Sequence, residues 1–228
     1  MLSLFLACLL FLGIHVFISG TALRGWLVAR MGVLPYRGLF SLLSAGALAW
    51  MIVAYPQAPY VELWPAQPAL QWVNLALNLL AVPFVVLGVL SPNPTSAGQE
   101  RLIRTEEPAR GIVRITRHPF LVGVALWAGG HVLSNGALAP LILFGSLLIL
   151  SLVGPRLIDA KTAARDPENW QRLSGATSWL PFLAIAQGRN HLSVAELGWW
   201  RVALALALYL AIIFYLHEWA FGLMVLPA

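Results

Sequence analysis

Three histidines set in apolar surroundings are the side chains of this chain best suited to chemistry. They are His15 in LFLGIHVFIS, and His118 and His131 in RHPFLVGVALWAGGHVLSNG, residues 117–136. A neutral imidazole is the commonest protein ligand for metals, and two of them on different helices can hold a haem iron axially. His118 and His131 cannot easily share one ligand, because thirteen residues of helix turn them about 140° apart. His131 lies about 20 Å beyond Arg117 along a helix, and His15 about 13 Å before Arg24, a mismatch that ordinary helix tilts close. His15 and His131 are therefore the candidate ligand pair. Trp127 would wall a cofactor beside His131, and Gly123, Gly129 and Gly130 let a flat cofactor or a neighbouring helix approach the backbone. Spacing alone does not separate haem from a mononuclear metal, although no carboxylate lies in mid-span to complete a zinc site. His118 reads as a boundary residue, pairing with Arg117 against an anionic group.

The elements that must position these groups follow from composition. With 60% hydrophobic residues, 10% charged residues and a mean hydropathy of +0.80, the chain belongs in lipid. Apolar runs at residues 2–20, 38–54, 70–90, 119–134, 137–153 and 199–226 approach the roughly 20 residues that cross a bilayer. The expected architecture is all-α: a single membrane domain over residues 1–228, a polytopic bundle of about six transmembrane helices. The N-terminus has no basic start and carries a histidine, so it reads as a retained first span and not a cleaved signal. The single cysteine, Cys8, excludes an intrachain disulfide framework and a cysteine-cluster metal site.

All 14 Lys and Arg residues fall between spans one and two, three and four, or five and six. That places them on the cytoplasmic side and both termini outside, in the periplasm of a bacterial inner membrane. A net charge of +5 confined to one face implies topology and contact with anionic membrane lipid, with no nucleic acid as partner. Between spans five and six, Trp170, Leu173, Trp179 and Phe182 interleave with charge, as in an interfacial segment capping the bundle. Pro155, Pro167 and Gly175 should break it into short pieces. Gln71, Asn74 and Asn78 share one face of span three, to orient a ligating histidine or to bond between helices. His217 and Glu218 read as interfacial, and His191 as a surface residue.

LFLGIHVFIS, ITRHPFLVGVALWAGGHVLSNG and GPRLIDAKTAARDPENWQRLSGATSWLPF, in that order, resemble the NnrU family of bacterial membrane proteins, and the resemblance covers essentially the whole chain. The pattern is also similar to the zeta-carotene isomerases of plants and cyanobacteria. These resemblances imply haem b held by His15 and His131, with His118 as the RHP histidine. They imply redox-dependent cis-trans isomerisation of a polyene, or a role in nitrite and nitric oxide respiration beside a respiratory reductase. The ligand is then a small apolar or gaseous molecule. The isomerases carry a cysteine three positions before their second ligating histidine; Ala128 stands there, so a thiolate switch is absent. RHPFLVG and WLPF also resemble S-adenosylmethionine-dependent membrane methyltransferases, with Asp159-Ala160-Lys161 in place of their acidic pair.

Overall fold

The computed structural model describes residues 1–226. Helices make up the chain, and among the described residues the only β-type pairing is an isolated bridge between Glu62 and Ala137. In lipid this is the expected outcome, since a helix satisfies its own backbone groups where no water can. The longer helices are α1 (Leu2–Gly13), α2 (Ala22–Met31), α3 (Val33–Ala54), α4 (Pro68–Leu90), α5 (Pro119–Asn135), α6 (Leu138–Arg165), α7 (Pro167–Ala176) and α8 (Trp199–Ala211).

Among the described residues four helices are long and apolar enough to cross a membrane, or five when the bent pair Leu2–Ile18 and Ala22–Met31 counts as one span. α5 is shorter, at 17 residues, and lies deepest in the bundle. It packs most extensively against α4 on one side and α6 on the other. α8 flanks α4, α1 flanks α6, and α3 flanks α1, so adjacency runs α3, α1, α6, α5, α4, α8.

Small residues set the closeness of α4 and α5. A Cβ on Gly123 would come within 2.7 Å of Val85 Cγ2 and 2.8 Å of both Ala81 O and Val85 N. On α4, a Cβ at Gly88 would meet Phe120 N at 2.6 Å. Dispersion between helices that small residues allow to pack closely drives helix association in lipid, where apolar burial gives no advantage.

Two boundaries differ from the sequence expectation. The fifth span does not end near residue 153: α6 runs through Pro155 to Arg165. Pro155 and Gly154 are buried, and Gly154 lies against Leu121 of α5, so packing carries the helix on past the one hydrogen bond that proline removes. The first span leaves α-helical geometry at Ile14–Ile18, a π turn, and then bends by 78° into α2. Thr21 caps α2 by accepting from Leu23 N at 3.2 Å.

Residues after α6 form the cap that the aromatic and charged pattern implies. Leu173 of α7 is fully buried in a cluster with Val86, Leu87, Ile103, Ile112, Val113 and Ile115, and Trp170 packs against it. The cap closes the end of the bundle from which α5 starts.

Candidate functional site

His131 and His15 are prepared in the same way. His131 Nδ1 lies 2.8 Å from Trp127 O, and His15 Nδ1 lies 2.8 Å from Phe11 O, each the carbonyl one helical turn back. A carbonyl can only accept, so Nδ1 carries the proton in both rings and Nε2 keeps its lone pair. This is the tautomer a metal ligand needs, fixed by the backbone of its own helix.

Aromatic rings surround each imidazole. His131 stacks on Phe144 of α6 at 4.5 Å between centroids and lies 5.2 Å from Trp127, which meets Phe144 edge-on at 5.1 Å. His15 lies 4.4 Å from Phe11 and 5.2 Å from Phe40 of α3. Phe40 is bracketed one turn away by Tyr36 and Ser44, whose hydroxyls are buried without a hydrogen-bond partner. His15 belongs to the π turn, a distortion that recurs at functional sites. The structure brings His131 together with Trp127 and Phe144, and His15 together with Phe40. It does not stack the two imidazoles on each other.

Among the described residues no three His, Cys, Asp or Glu side chains converge on a point that could hold a metal ion. A haem asks less of the protein, because its porphyrin supplies four donors and leaves only axial positions to fill. An imidazole whose Nδ1 is bonded to a backbone carbonyl, as in His15 and His131, is the type of side chain that can take an axial position on a haem iron.

Gly130 does something other than admit a cofactor. A Cβ there would fall 2.2 Å from Asn74 Oδ1, so the neighbouring helix α4 occupies the space. Asn74 Nδ2 donates to Ser134 Oγ at 3.1 Å, and Asn78 Nδ2 donates to Asn74 O at 2.8 Å. These amides bond between helices and within α4; the orientation of His131 comes from Trp127 O. Gln71 makes no side-chain hydrogen bond among those of this cluster.

His118 sits at the opposite end of α5 and is 3% exposed. The anionic group it shares with Arg117 is Asp159 of α6. His118 Nε2 lies 2.7 Å from Asp159 Oδ1, and Arg117 donates through Nη2 to Asp159 Oδ2 at 2.6 Å and through Nε to both oxygens. Arg117 Nη1 donates to Thr177 O, its guanidinium lies 5.2 Å over Trp170, and its own carbonyl accepts from Thr95 Oγ1. This clamp ties the start of α5 to α6 and the cap. It also engages Asp159, the acid of the Asp159-Ala160-Lys161 stretch.

A second buried cation, Arg114, is invisible in the sequence pattern. It binds Glu196 through Nε at 2.8 Å and Nη2 at 2.9 Å, and reaches Glu107 and Asn190. Arg114, with help from the Gly111 amide, holds the Glu196 carboxyl down to about 2. Phe40, Phe144, Tyr36 and Ser44 were also missed as neighbours of the histidines. Tyr36, Phe40 and Ser44 recur every four residues along span two, which is the signal that could have found them. His217 bonds Leu223 O near the end of the last helix, and His191 lies exposed in the cap.

The family model described as NnrU protein matches residues 3–225. The chloroplastic 15-cis-zeta-carotene isomerase of Arabidopsis thaliana is 36% identical over 80 residues, which are 35% of this chain and 22% of that protein. The enzyme of the same name from Zea mays is 37% identical over 82 residues, 36% of this chain and 22% of the maize protein. The match thus spans about a fifth of the length of these curated relatives. No solved structure matches the chain.

Proposed function

Since the chain belongs to the NnrU family across residues 3–225, we propose that this membrane protein binds haem b between His15 and His131 and has isomerase-like activity on a lipid-soluble polyene. The observation that carries the reading is the matched preparation of the two imidazoles, each with Nδ1 tied to a carbonyl one turn back and Nε2 free. The relatives named as isomerases of 15-cis-zeta-carotene supply the substrate class, a long apolar polyene with a cis double bond.

A bound haem would supply redox-active iron next to the substrate's double bond, held by His15 and His131. The chain's own residues do the rest. Trp127 O and Phe11 O keep the ligating tautomers in place. Phe144, Trp127, Phe11 and Phe40 make the surroundings of both rings dry, and Tyr36 and Ser44 offer hydroxyls to the polar edge of a cofactor. Ala128, buried beside His131, presents no thiol to compete for the metal. The protein sits in a bacterial inner membrane with both termini in the periplasm; the last residue, Ala228, lies outside the described residues.

Purified protein should show the Soret and split α bands of a b-type haem on reduction. His15→Ala and His131→Ala should lose or weaken them, and His118→Ala should keep them. In cells accumulating the cis-carotenoid, the wild type should shift the pigment towards the trans isomer and His131→Ala should not. A haem-loaded protein that leaves the isomer ratio unchanged would refute the isomerase reading and favour a haem carrier beside a respiratory reductase, acting on a gaseous ligand. A colourless wild-type protein would overturn the haem assignment itself.

A further inference from the structure

Among the described residues Phe182 is the one non-glycine residue with positive φ, at 62°. The left-handed region suits glycine or asparagine, and a bulky side chain held there stores strain that the surrounding structure must impose. The ties that impose it run along the approach to α5. Arg117 N donates to Ser178 O at 3.0 Å, Thr116 Oγ1 to Trp179 O at 2.7 Å, and Phe182 N to Ile115 O at 2.9 Å. Ala184 is fully buried just beyond. The chain nevertheless turns its larger apolar side chains outward here: Leu180, Phe182 and Leu183 are 42%, 49% and 37% exposed. No charged residue occurs from Thr177 to Gln187, and Arg172 and Arg189 flank the stretch.

In water such a tip is unfavourable twice over, through backbone strain and through exposed apolar surface. Its depth says what covers it. With 17 residues α5 is about 26 Å long, against about 30 Å for the hydrocarbon of a bilayer. At the far end of α5 the turn to α6 pairs with the exposed Glu62, which marks the opposite membrane surface. The hydrocarbon therefore reaches past Pro119 at the near end, to the level of residues 115–117, where the tip is tied. Cations at this level are withdrawn from their surroundings, as lipid contact demands: Arg114 and Arg117 are buried in ion pairs with Glu196 and Asp159.

We propose that Leu180, Phe182 and Leu183 form a tip that dips into the lipid leaflet at the end of the bundle from which α5 starts, and so anchors the cap to the bilayer. An uncharged apolar tip between two arginines matches acyl chains lying beneath phosphate headgroups. The left-handed turn at Phe182 is then offset by the burial of its ring in lipid, outside the protein's own core.

The test uses the full chain in vesicles of phosphatidylcholine and phosphatidylglycerol, with Cys8→Ala so that each variant carries one thiol. A nitroxide label is attached at Phe182→Cys, at Leu42→Cys on the exposed face of α3, and at Gly175→Cys, an exposed cap position with nothing within 4 Å. Collisions with oxygen, which concentrates in lipid, are compared with collisions with a water-soluble nickel chelate. The label at position 182 should match the one at 42, with an oxygen-to-nickel ratio several-fold above that at 175. If Phe182→Cys does not fold, Leu183→Cys, at a helical position of the same tip, carries the comparison. A ratio equal to that at 175 would place the tip in water, and protection from both reagents would place it against a second copy or another protein. Either result overturns the proposal.

Discussion

Replacing Asp159 by Asn keeps the side chain's shape and removes the charge that holds the start of α5. Arg117 and His118 would then be left with side chains 10% and 1% exposed and no anionic partner. Removing one member of a buried ion pair costs about 3–5 kcal/mol, because the other charge stays desolvated. Arg117 keeps its bond to Thr177 O and its place over Trp170, which points to the lower end, about 3 kcal/mol. For a chain of this length that is a fall of about 6–12 °C in unfolding temperature. The ten tryptophans give the fluorescence signal, with Trp170 beside the clamp itself. Asp159→Leu combined with Arg117→Met should recover part of the loss, since it leaves no unpaired guanidinium, while His118 Nε2 still lacks its partner. An Asp159→Asn protein that unfolds within a degree of the wild type, or a double variant less stable than the single one, would show that the ion pair does not hold the start of α5.

Gly123→Ala should destabilise by about 1–3 kcal/mol, because α4 backbone atoms stand 2.8 Å from the new Cβ and cannot rotate away. Gly25→Ala on α2, where nothing lies within 4 Å, should be neutral or slightly stabilising in the same thermal assay. Glu196→Gln tests the Arg114 ion pair by its pH profile: with a folded value of about 2 against an ordinary 4.5, Glu196 stabilises above pH 4.5 and loses that contribution as pH falls towards 2. The gap in unfolding temperature between wild type and Glu196→Gln should therefore narrow below pH 4.5, and a constant gap would show that ionisation is not its source. A reporter active only in the periplasm should be silent when inserted at Gly188 and active when fused after Ala228; the reverse pattern would invert the topology.

Much of the bundle was legible because lipid makes hydropathy almost sufficient: each of the six apolar runs corresponds to a helix. The boundaries failed where tertiary contacts decide. Pro155 reads as a breaker, yet Leu121 packing over Gly154 carries α6 three turns further, and no local pattern contains that contact. The elbow after Ile18 was equally hidden, since Lys161 pins it from 142 residues away. At the site, the identities of His15 and His131 were readable from type and depth, while their aromatic neighbours were not. Gly130 shows the ambiguity of small residues: a cofactor and a helix both demand them, and only the position of Asn74 tells which one came. The anion paired with Arg117 and His118 could be foreseen as a need, but Asp159 lies 42 residues from Arg117, and only the fold supplies it.

The tight turn joining α5 to α6 bears on how the protein is made. Gly136, in the left-handed conformation at φ 62°, allows α6 to begin at Leu138 with almost no linker, and its carbonyl accepts from Leu63 N and Trp64 N. At 17 residues α5 is at the short limit for a span, and its interior is cut to fit helices on both sides. A ribosome finishing α5 thus releases a segment with little reason to stay in lipid alone. The 28 residues of α6 follow within moments and bring the hydrophobicity that α5 lacks. The two should enter the membrane as one hairpin, with α4 already waiting, so a delay inserted at Gly136 would expose a nascent chain whose candidate haem ligand, His131, has no bilayer to settle in.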